Sequence, residues 1–200
     1  MSISHSPTVS VIMNCYNCGK YLKEAIDSVY AQSYEDWEII FWDNASTDSS
    51  GEIANSYDDK LKYFRGEQNV SLGEARNYAL EKAMGKYIAF LDCDDLWMKE
   101  KLKEQVEILE THGETGFVYS NFTSYFEQDG KEVIYSKKQE PEGEIFKTCL
   151  TYYPIGLLTV MVRKDLLDSL DHWFDPNLHY AEEYDLFLRV LYHTKARYIQ

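Results

Sequence analysis

The sequence has no long hydrophobic run, and this excludes several classes of protein. No apolar stretch in its 200 residues approaches the roughly 20 residues that a membrane-spanning helix needs. Residues 1–7 are polar and contain no signal-peptide core, which predicts a cytoplasmic protein. With 44% hydrophobic and 27% charged residues, the composition is typical of one globular domain, 1–200, that buries a sizeable core.

Basic residues are scarce. There are 20 lysines and arginines against 34 aspartates and glutamates, so the formal net charge is −14. Such a surface repels the phosphates of nucleic acids and of anionic membranes, and we expect no nucleic-acid partner. Local positive charge, from a cation, an arginine or a helix N-terminus, can still bind an anionic substrate. The absence of a spanning segment also allows peripheral association with the inner face of the cell membrane.

Cysteine is scarce as well, with four residues at positions 15, 18, 93 and 149. Cys15 and Cys18 form a C-x-x-C pair, a spacing typical of redox sites and of half of a zinc site. A second pair at zinc spacing is missing, and the five histidines are scattered along the sequence. We therefore expect reduced, structural cysteines.

The sequence does contain a regular alternation of strand-like and helix-like segments. Short apolar runs predict strands at 8–14, 38–42, 62–64 and 87–91. Between them we predict helices at 21–31 and 72–83, and a helix that follows the cap residues 46–49 and runs to about residue 57. The third helix opens on Ser71-Leu72-Gly73-Glu74, which matches a capping box. This order predicts βαβ units and hence an α/β fold with a mostly parallel central sheet flanked by helices.

The second half of the chain adds a hairpin to this pattern. Residues 125–135 surround Asp129-Gly130, which predicts a small antiparallel insertion. We also predict helices at 99–110 and 165–170, strands at 117–120 and 157–162, and a helix that begins at the acidic run from Glu182. Residues 196–200 are typical of the start of a strand, so we expect that the protein continues beyond Gln200.

The predicted strand at 87–91 ends abruptly at three carboxylates, Asp92, Asp94 and Asp95. The apolar run suits a central strand that is covered on both faces. Carboxylates cannot share that burial, because unit charges ~4 Å apart repel by about 4 kcal/mol at an effective dielectric near 20. They should therefore lie in a cleft at the strand end, as a solvated acidic loop or as ligands of a hard divalent cation.

Polar residues also follow the other predicted strands. The first strand ends near Tyr16 and the second at Asp43-Asn44. Because ligands bind at the carboxyl ends of parallel strands, these residues should meet the Asp92 stretch at one edge. Tyr16 can stack on a base, Asp43 can accept a hydrogen bond from a base N–H, and Arg76, at the start of its helix, can approach a diphosphate.

Together these residues resemble the family 2 glycosyltransferases of bacterial type, which have the GT-A fold. The resemblance covers about 7–96 and resumes at 182–189. It is carried by Val9-Ser10-Val11-Ile12, Tyr16-Asn17, Asp43-Asn44-Ala45-Ser46-Thr47-Asp48, Asn69, Gly73, Ala75-Arg76-Asn77 and Phe90-Leu91-Asp92-Cys93-Asp94-Asp95. It implies a hexosyltransferase with a UDP-sugar donor, a Mn²⁺ or Mg²⁺ ion, and inversion at the anomeric carbon. The acceptor would be a carbohydrate, a lipid-linked glycan or a glycoprotein.

The resemblance also implies roles for individual residues. The loop with Tyr16 and the Asp43 strand end would hold the uracil, and Arg76 would approach the diphosphate. Asp92 would contact the ribose or the sugar, and Asp94 would bind the metal. The full set expected at the donor is Tyr16, Asn17, Asp43, Asn44, Arg76, Asp92 and Cys93. Residues 1–96 would then form the nucleotide-binding half and 97–200 the acceptor-side half of the domain.

The sequence departs from the family pattern at two positions. The late motif commonly reads Glu-Asp with the aspartate as catalytic base, and here it reads Glu182-Glu183. Glu183 occupies the base position, and the choice between Glu183 and Glu182 stays open. The second aspartate of the usual Asp-Asp-Gly-Ser pattern is Asn44.

Three other functions compete with this interpretation. A sugar-nucleotide pyrophosphorylase needs a glycine-rich, basic loop after the first strand, and Tyr16-Asn17-Cys18-Gly19-Lys20 has one glycine and one lysine. A receiver-like signalling domain also has an acidic pocket with Mg²⁺, but it is shorter and has no place for Arg76 or the hairpin. The third alternative is a donor-binding domain that does not catalyse transfer.

Overall fold

The computed structural model describes residues 6–200, and its centre is a seven-stranded sheet. The strand order is β3-β2-β1-β4-β8-β5-β9. The strands are β1 (Val9–Cys15), β2 (Trp37–Asp43), β3 (Leu61–Arg65), β4 (Tyr87–Phe90), β5 (Thr115–Ser120), β8 (Met161–Arg163) and β9 (Lys195–Ile199). All of them run parallel except β8, which is antiparallel to both β4 and β5. The predicted mostly parallel sheet is confirmed.

Helices cover both faces of the sheet. They are α1 (Leu22–Tyr30), α2 (Ser50–Ala54), α3 (Leu72–Leu80), α4 (Lys101–Thr111), α5 (Phe146–Cys149), α6 (Lys164–Asp168) and α7 (Glu182–Leu191). The apolar sides of α1 and α4 pack with Val9, Val11 and Met13 on one face. Those of α3 and α7 pack with Ile12 and Phe90 on the other. Because successive side chains of a strand point to opposite faces, β1 contributes to both clusters.

Several predicted elements are shorter in the structure, including the helices that end at Leu80 and Asp168 instead of at 83 and 170. The helix expected to run to residue 57 ends at Ala54, where the Asn55 amide and the Ser56 hydroxyl donate to the carbonyl oxygens of Gly51 and Ile53. The strand predicted at 157–162 is divided between a 3-10 turn (Leu157–Thr159) and β8. The turn forms because both the N–H and the hydroxyl of Thr159 donate to the carbonyl of Gly156.

The predicted hairpin is present as a separate two-stranded sheet of β6 (Thr123–Phe126) and β7 (Lys131–Ile134). Gly130 adopts a φ of +66° in the connecting turn, a conformation that glycine tolerates best. Every residue of both strands is exposed, including Tyr125 and Ile134. Within residues 6–200, no helix is long and apolar enough to cross a membrane.

Candidate active site

The carboxyl ends of β1, β2 and β4 lie side by side at one edge of the sheet. Cys15, the last residue of β1, pairs in register with Asp43, the last residue of β2. On the other side, the N–H of Leu91 donates to the carbonyl of Ile12. The predicted meeting of the three strand ends is therefore present, and the loops that follow them are neighbours.

The loop after β1 presents Tyr16 to solvent. Its side chain is 51% exposed, as a stacking surface for a planar ligand requires. Asn17 follows in the left-handed region at φ 56°, and its side-chain oxygen accepts a hydrogen bond of 2.7 Å from the N–H of Thr47. The N–H of Asn17 donates to the Ser46 hydroxyl at 3.0 Å. Asn17 therefore ties the loop after β1 to the loop after β2.

Asp43 is fully buried and has several partners. One carboxylate oxygen accepts from the N–H of Ser46 at 2.7 Å, and the other from the Tyr63 hydroxyl and from Arg65 Nη1, both at 2.5 Å. Neither β3 residue was predicted from the sequence, although their alternation along that strand places both on the same face of the sheet as Asp43. In this arrangement Asp43 supports the loop from beneath, and its contact with a base stays a prediction.

Asn44 holds the segment that leads into α3. Its amide nitrogen donates to the carbonyl of Val70 at 2.9 Å, and its amide oxygen accepts from the N–H of Val70 at 3.2 Å. An amide offers a donor and an acceptor on one group, whereas an ionised carboxylate only accepts. This pairing explains why asparagine suits a position where the family pattern usually has aspartate.

Arg76 lies one turn deeper than the sequence predicted. Its helix α3 begins at Leu72, and the Ser71 hydroxyl caps it by accepting from the N–H of Glu74 at 3.4 Å. The Arg76 side chain is only 4% exposed. Its Nη1 is 2.7 Å from a carboxylate oxygen of Glu182, and its Nη2 is 3.1 Å from one of Asp92. Arg76 therefore links the end of β4 to the start of α7.

The three aspartates after β4 lie on a turn that is closed by a 3.2 Å hydrogen bond from the N–H of Asp95 to the carbonyl of Asp92. Burial and, after it, the charges of Asp92 and Asp94 raise the pKa of Asp95 to about 6. Within residues 6–200, the exposed Asp94 makes no hydrogen bond or ion pair with another residue. Its free carboxylate suits a hard divalent cation, which prefers oxygen ligands.

Glu182 and Glu183 begin α7 but have different surroundings. Glu182 is buried and paired with Arg76. Glu183 is half-buried, and within the described residues it accepts no hydrogen bond and forms no ion pair. Burial and then the charge of the nearby Glu183 raise the pKa of the Tyr153 phenol. The Tyr153 hydroxyl is itself buried without a partner among the described residues, and no sequence motif indicated it.

A cluster of three cysteines lies beneath this edge. The sulfurs of Cys15, Cys18 and Cys93 are all within 4.8 Å of one another. The neighbouring thiols of Cys15 and Cys93 hold the pKa of Cys18 well below its usual range. Only the C-x-x-C pair is evident from the sequence, because Cys93 joins it through the pairing of β1 with β4. The cysteines were expected to be structural, but they converge on one point.

Comparisons with known proteins agree with this architecture. The chain is 35% identical over 188 residues to the putative teichuronic acid biosynthesis glycosyltransferase TuaG of Bacillus subtilis, covering 92% of this chain and 72% of TuaG. It is 32% identical over 184 residues to WfgD of Escherichia coli, covering 92% and 69% of the two chains. WfgD is described as a UDP-Glc:alpha-D-GlcNAc-diphosphoundecaprenol beta-1,3-glucosyltransferase.

Among solved structures, TarS of S. aureus is similar, with a TM-score of 0.77 at 28% identity. The match covers 96% of this chain, which spans 58% of the TarS chain. TarS has also been solved with UDP and with UDP-GlcNAc. The likeness confirms the predicted GT-A fold. The model of the family described as glycosyl transferase family 2 matches residues 10–169, and the chain belongs to that family of glycosyltransferases, as its sequence motifs predict.

Proposed function

We propose that the protein transfers a sugar from a UDP-sugar to an acceptor hydroxyl, with inversion at the anomeric carbon. The observation that carries this proposal is the Arg76 bridge, which consists of the two ion pairs that join Arg76 to Asp92 and to Glu182. The bridge holds the Asp92 turn, at the carboxyl ends of the strands, against the N-terminus of α7, which bears Glu183. A donor bound across the strand ends would then lie between the Tyr16 loop and a carboxylate on a separate element. The UDP-bound structures of TarS support a uridine nucleotide as donor.

Asp94 is the proposed ligand of a Mn²⁺ or Mg²⁺ ion. Its carboxylate is exposed, has no partner within residues 6–200, and lies on a turn with two further carboxylates. One of those, Asp92, is already paired with Arg76. When bound, the ion would supply positive charge that stabilises the leaving diphosphate. The N-terminal turn of α3 would add positive potential at the same edge.

Glu183 is the proposed catalytic base. It would accept the proton of the acceptor hydroxyl while the acceptor oxygen bonds to the anomeric carbon and the bond from that carbon to the diphosphate breaks. A base needs a carboxylate that is free to take a proton, and Glu183 meets this requirement. Glu182 does not, because Arg76 holds it at 2.7 Å in a buried ion pair. We therefore assign Glu182 a positioning role.

Tyr16, Asn17, Asp43, Asn44, Arg76, Asp92 and Cys93 remain the proposed donor-side residues. Tyr16 is suited to direct stacking because it is half-exposed. Asn17, Asp43 and Asn44 support the loops around it through their hydrogen bonds. For Asp43 or Arg76 to contact the nucleotide directly, each side chain would have to bind the nucleotide in addition to its present partners.

The proposed acceptor is a polysaccharide, a lipid-linked glycan or a glycoprotein. The descriptions of TuaG and WfgD favour the first two. A lipid-linked acceptor would bring the protein to the inner face of the cell membrane from the cytoplasm. The net charge of −14 makes electrostatic attraction to anionic lipids a poor means of doing so.

Calorimetric titration with UDP, with and without Mn²⁺, tests the donor site. We expect binding that strengthens when Mn²⁺ is present, and equal binding in both conditions would refute the metal role. A second assay would measure UDP release from a panel of UDP-sugars, with and without a polyprenyl-diphosphate-linked GlcNAc acceptor. UDP binding without any release, for every sugar and acceptor, would indicate a donor-binding domain that does not catalyse transfer.

A further inference from the structure

Cys15, Cys18 and Cys93 form a cluster, here called the three-thiol cluster, to which the proposed sugar transfer assigns no sulfur chemistry. Cys15 ends β1, Cys18 lies in the loop that follows, and Cys93 lies in the turn after β4. Every pair of their sulfurs is within 4.8 Å. Within residues 6–200, no other set of three cysteine, histidine or carboxylate side chains converges in this way.

The spacing of the sulfurs suits a metal ion better than a disulfide. Tetrahedral zinc, with zinc–sulfur bonds of about 2.3 Å, holds its sulfur ligands about 3.8 Å apart. Sulfurs at most 4.8 Å apart reach that spacing by small side-chain movements. A disulfide needs a sulfur–sulfur distance of about 2.05 Å. It would also use two of the sulfurs and leave the third in place, whereas a metal ion uses all three.

The surroundings of the three-thiol cluster also suit a metal ion. Cys15 and Cys93 are buried, while Cys18 is half-buried and opens the cluster to solvent. The opening provides a path of entry for the ion. Thiolates are soft ligands that favour Zn²⁺ and Cu⁺ over the hard ions Mg²⁺ and Mn²⁺. The cluster therefore differs in chemistry from the carboxylate position at Asp94.

We propose that the three-thiol cluster binds one soft, thiophilic metal ion such as Zn²⁺. Binding forms three metal–sulfur bonds and releases the thiol protons to solvent, so neither an oxidant nor a reductant takes part. The bound ion joins the Tyr16 loop to the turn of Asp92 and Asp94, since each of the two segments contributes a sulfur. This site does not depend on the proposed sugar transfer, and its test needs neither donor nor acceptor.

The test uses the full chain, freed of metal by a chelator and reduced with a phosphine. Cd²⁺ is the probe, because its bonds to thiolates absorb in the ultraviolet. We expect the absorbance to rise linearly and to saturate at one equivalent. Zn²⁺ should then displace Cd²⁺ and abolish the absorbance, while a tenfold excess of Mn²⁺ should leave it unchanged. Saturating Zn²⁺ should also raise the melting temperature by several degrees.

Variants locate the site. Cys18→Ala is the main variant, since a half-buried loop residue is removed with little risk to folding. It should weaken Cd²⁺ binding at least roughly a hundredfold and abolish the Zn²⁺-induced rise in melting temperature. Cys149→Ala is the matched control, because Cys149 is a buried free thiol in the core on the other face of the sheet. Its Cd²⁺ titration should match that of the parent protein.

A measurement on the unaltered protein guards against misfolded variants. Alkylation followed by mass spectrometry should label Cys18 in the metal-free protein and leave it protected when one equivalent of Zn²⁺ is present. The proposal is overturned if no absorbance develops at stoichiometric Cd²⁺, or if Cys18→Ala binds Cd²⁺ as tightly as the parent protein. A Cys15–Cys18 disulfide that persists in the phosphine-reduced protein would overturn it as well.

Discussion

The proposed donor side and the proposed acceptor side of the candidate site are built differently. On the proposed donor side, Asp43, Asn44 and Arg76 are buried, and the side chain of each makes two or more hydrogen bonds or ion pairs. On the acceptor side, Glu183 has no partner within residues 6–200, and both strands of the β6–β7 hairpin are exposed. In the proposed site, the donor residues are therefore held in place before a ligand binds, whereas the carboxylate proposed as the base stays free.

The largest effect should come from the free carboxylate. Glu183→Gln removes the proposed base and should lower the turnover number by roughly 10²- to 10⁴-fold, while UDP affinity stays within about twofold. Enzyme kinetics and calorimetry measure the two quantities. Glu107→Gln, an exposed glutamate of α4, is the control and should retain full activity. Near-normal turnover of Glu183→Gln would move the base elsewhere, with Glu182 the next residue to examine.

Breaking the Arg76 bridge, which connects the two sides, should destabilise the whole domain. Arg76→Met leaves Glu182 buried without its partner and should lower the free energy of unfolding by about 3–5 kcal/mol. Adding Glu182→Leu to this variant should recover part of the loss, because no buried charge then lacks a partner. Urea unfolding of the two variants and the parent measures this, and a double variant less stable than Arg76→Met would contradict it.

Removing the proposed metal ligand should affect the donor side alone. Asp94→Ala should eliminate the gain in UDP affinity that Mn²⁺ produces, a loss of roughly tenfold or more, and should leave stability nearly unchanged because the side chain is exposed. Calorimetry with and without Mn²⁺ measures the effect. Asp59→Ala, an exposed aspartate away from the sheet edge, should retain the Mn²⁺ dependence. An unchanged Mn²⁺ dependence in Asp94→Ala would assign the ion to other ligands.

Asn44→Asp tests whether the donor-side loops need an amide. The substitution removes the donor to the Val70 carbonyl and faces that carbonyl with a carboxylate, so we expect a loss of about 1–3 kcal/mol in the free energy of unfolding. Urea unfolding would measure it. Asn55→Asp, at the exposed end of α2, is the control and should cost less. If the two variants lost the same free energy of unfolding, the Asn44–Val70 pairing would contribute no more to stability than the hydrogen bond of Asn55 at the end of α2.

The smallest effect should come from the hairpin. Ile134→Thr changes a side chain that is 54% exposed, and we expect the free energy of unfolding to change by no more than about 0.5 kcal/mol. Thermal or urea unfolding measures this. A larger loss would mean that the hairpin contributes to the stability of the domain, and the contrast between the two sides would weaken accordingly.

Much of the fold could be predicted because it follows from local patterns. The hairpin was predicted at Asp129-Gly130 because turn chemistry is local. The antiparallel β8 could not be predicted, because a three-residue strand carries no signal of its direction. Similarly, the burial of Asp43 depends on Tyr63 and Arg65, and their contact requires that β3 lie next to β2.

By itself, the sequence determined the α/β class and the meeting of three polar strand ends, and it reduced the candidate catalytic and metal-binding groups to a few carboxylates. These depend on the period of apolar residues and on the rule that parallel strands end at one edge. Only the tertiary structure decided that Arg76 pairs with Glu182, 106 residues away, and that Cys93 joins Cys15 and Cys18. Such contacts arise where separate elements pack together, and no periodicity within one element encodes which side chains will meet there.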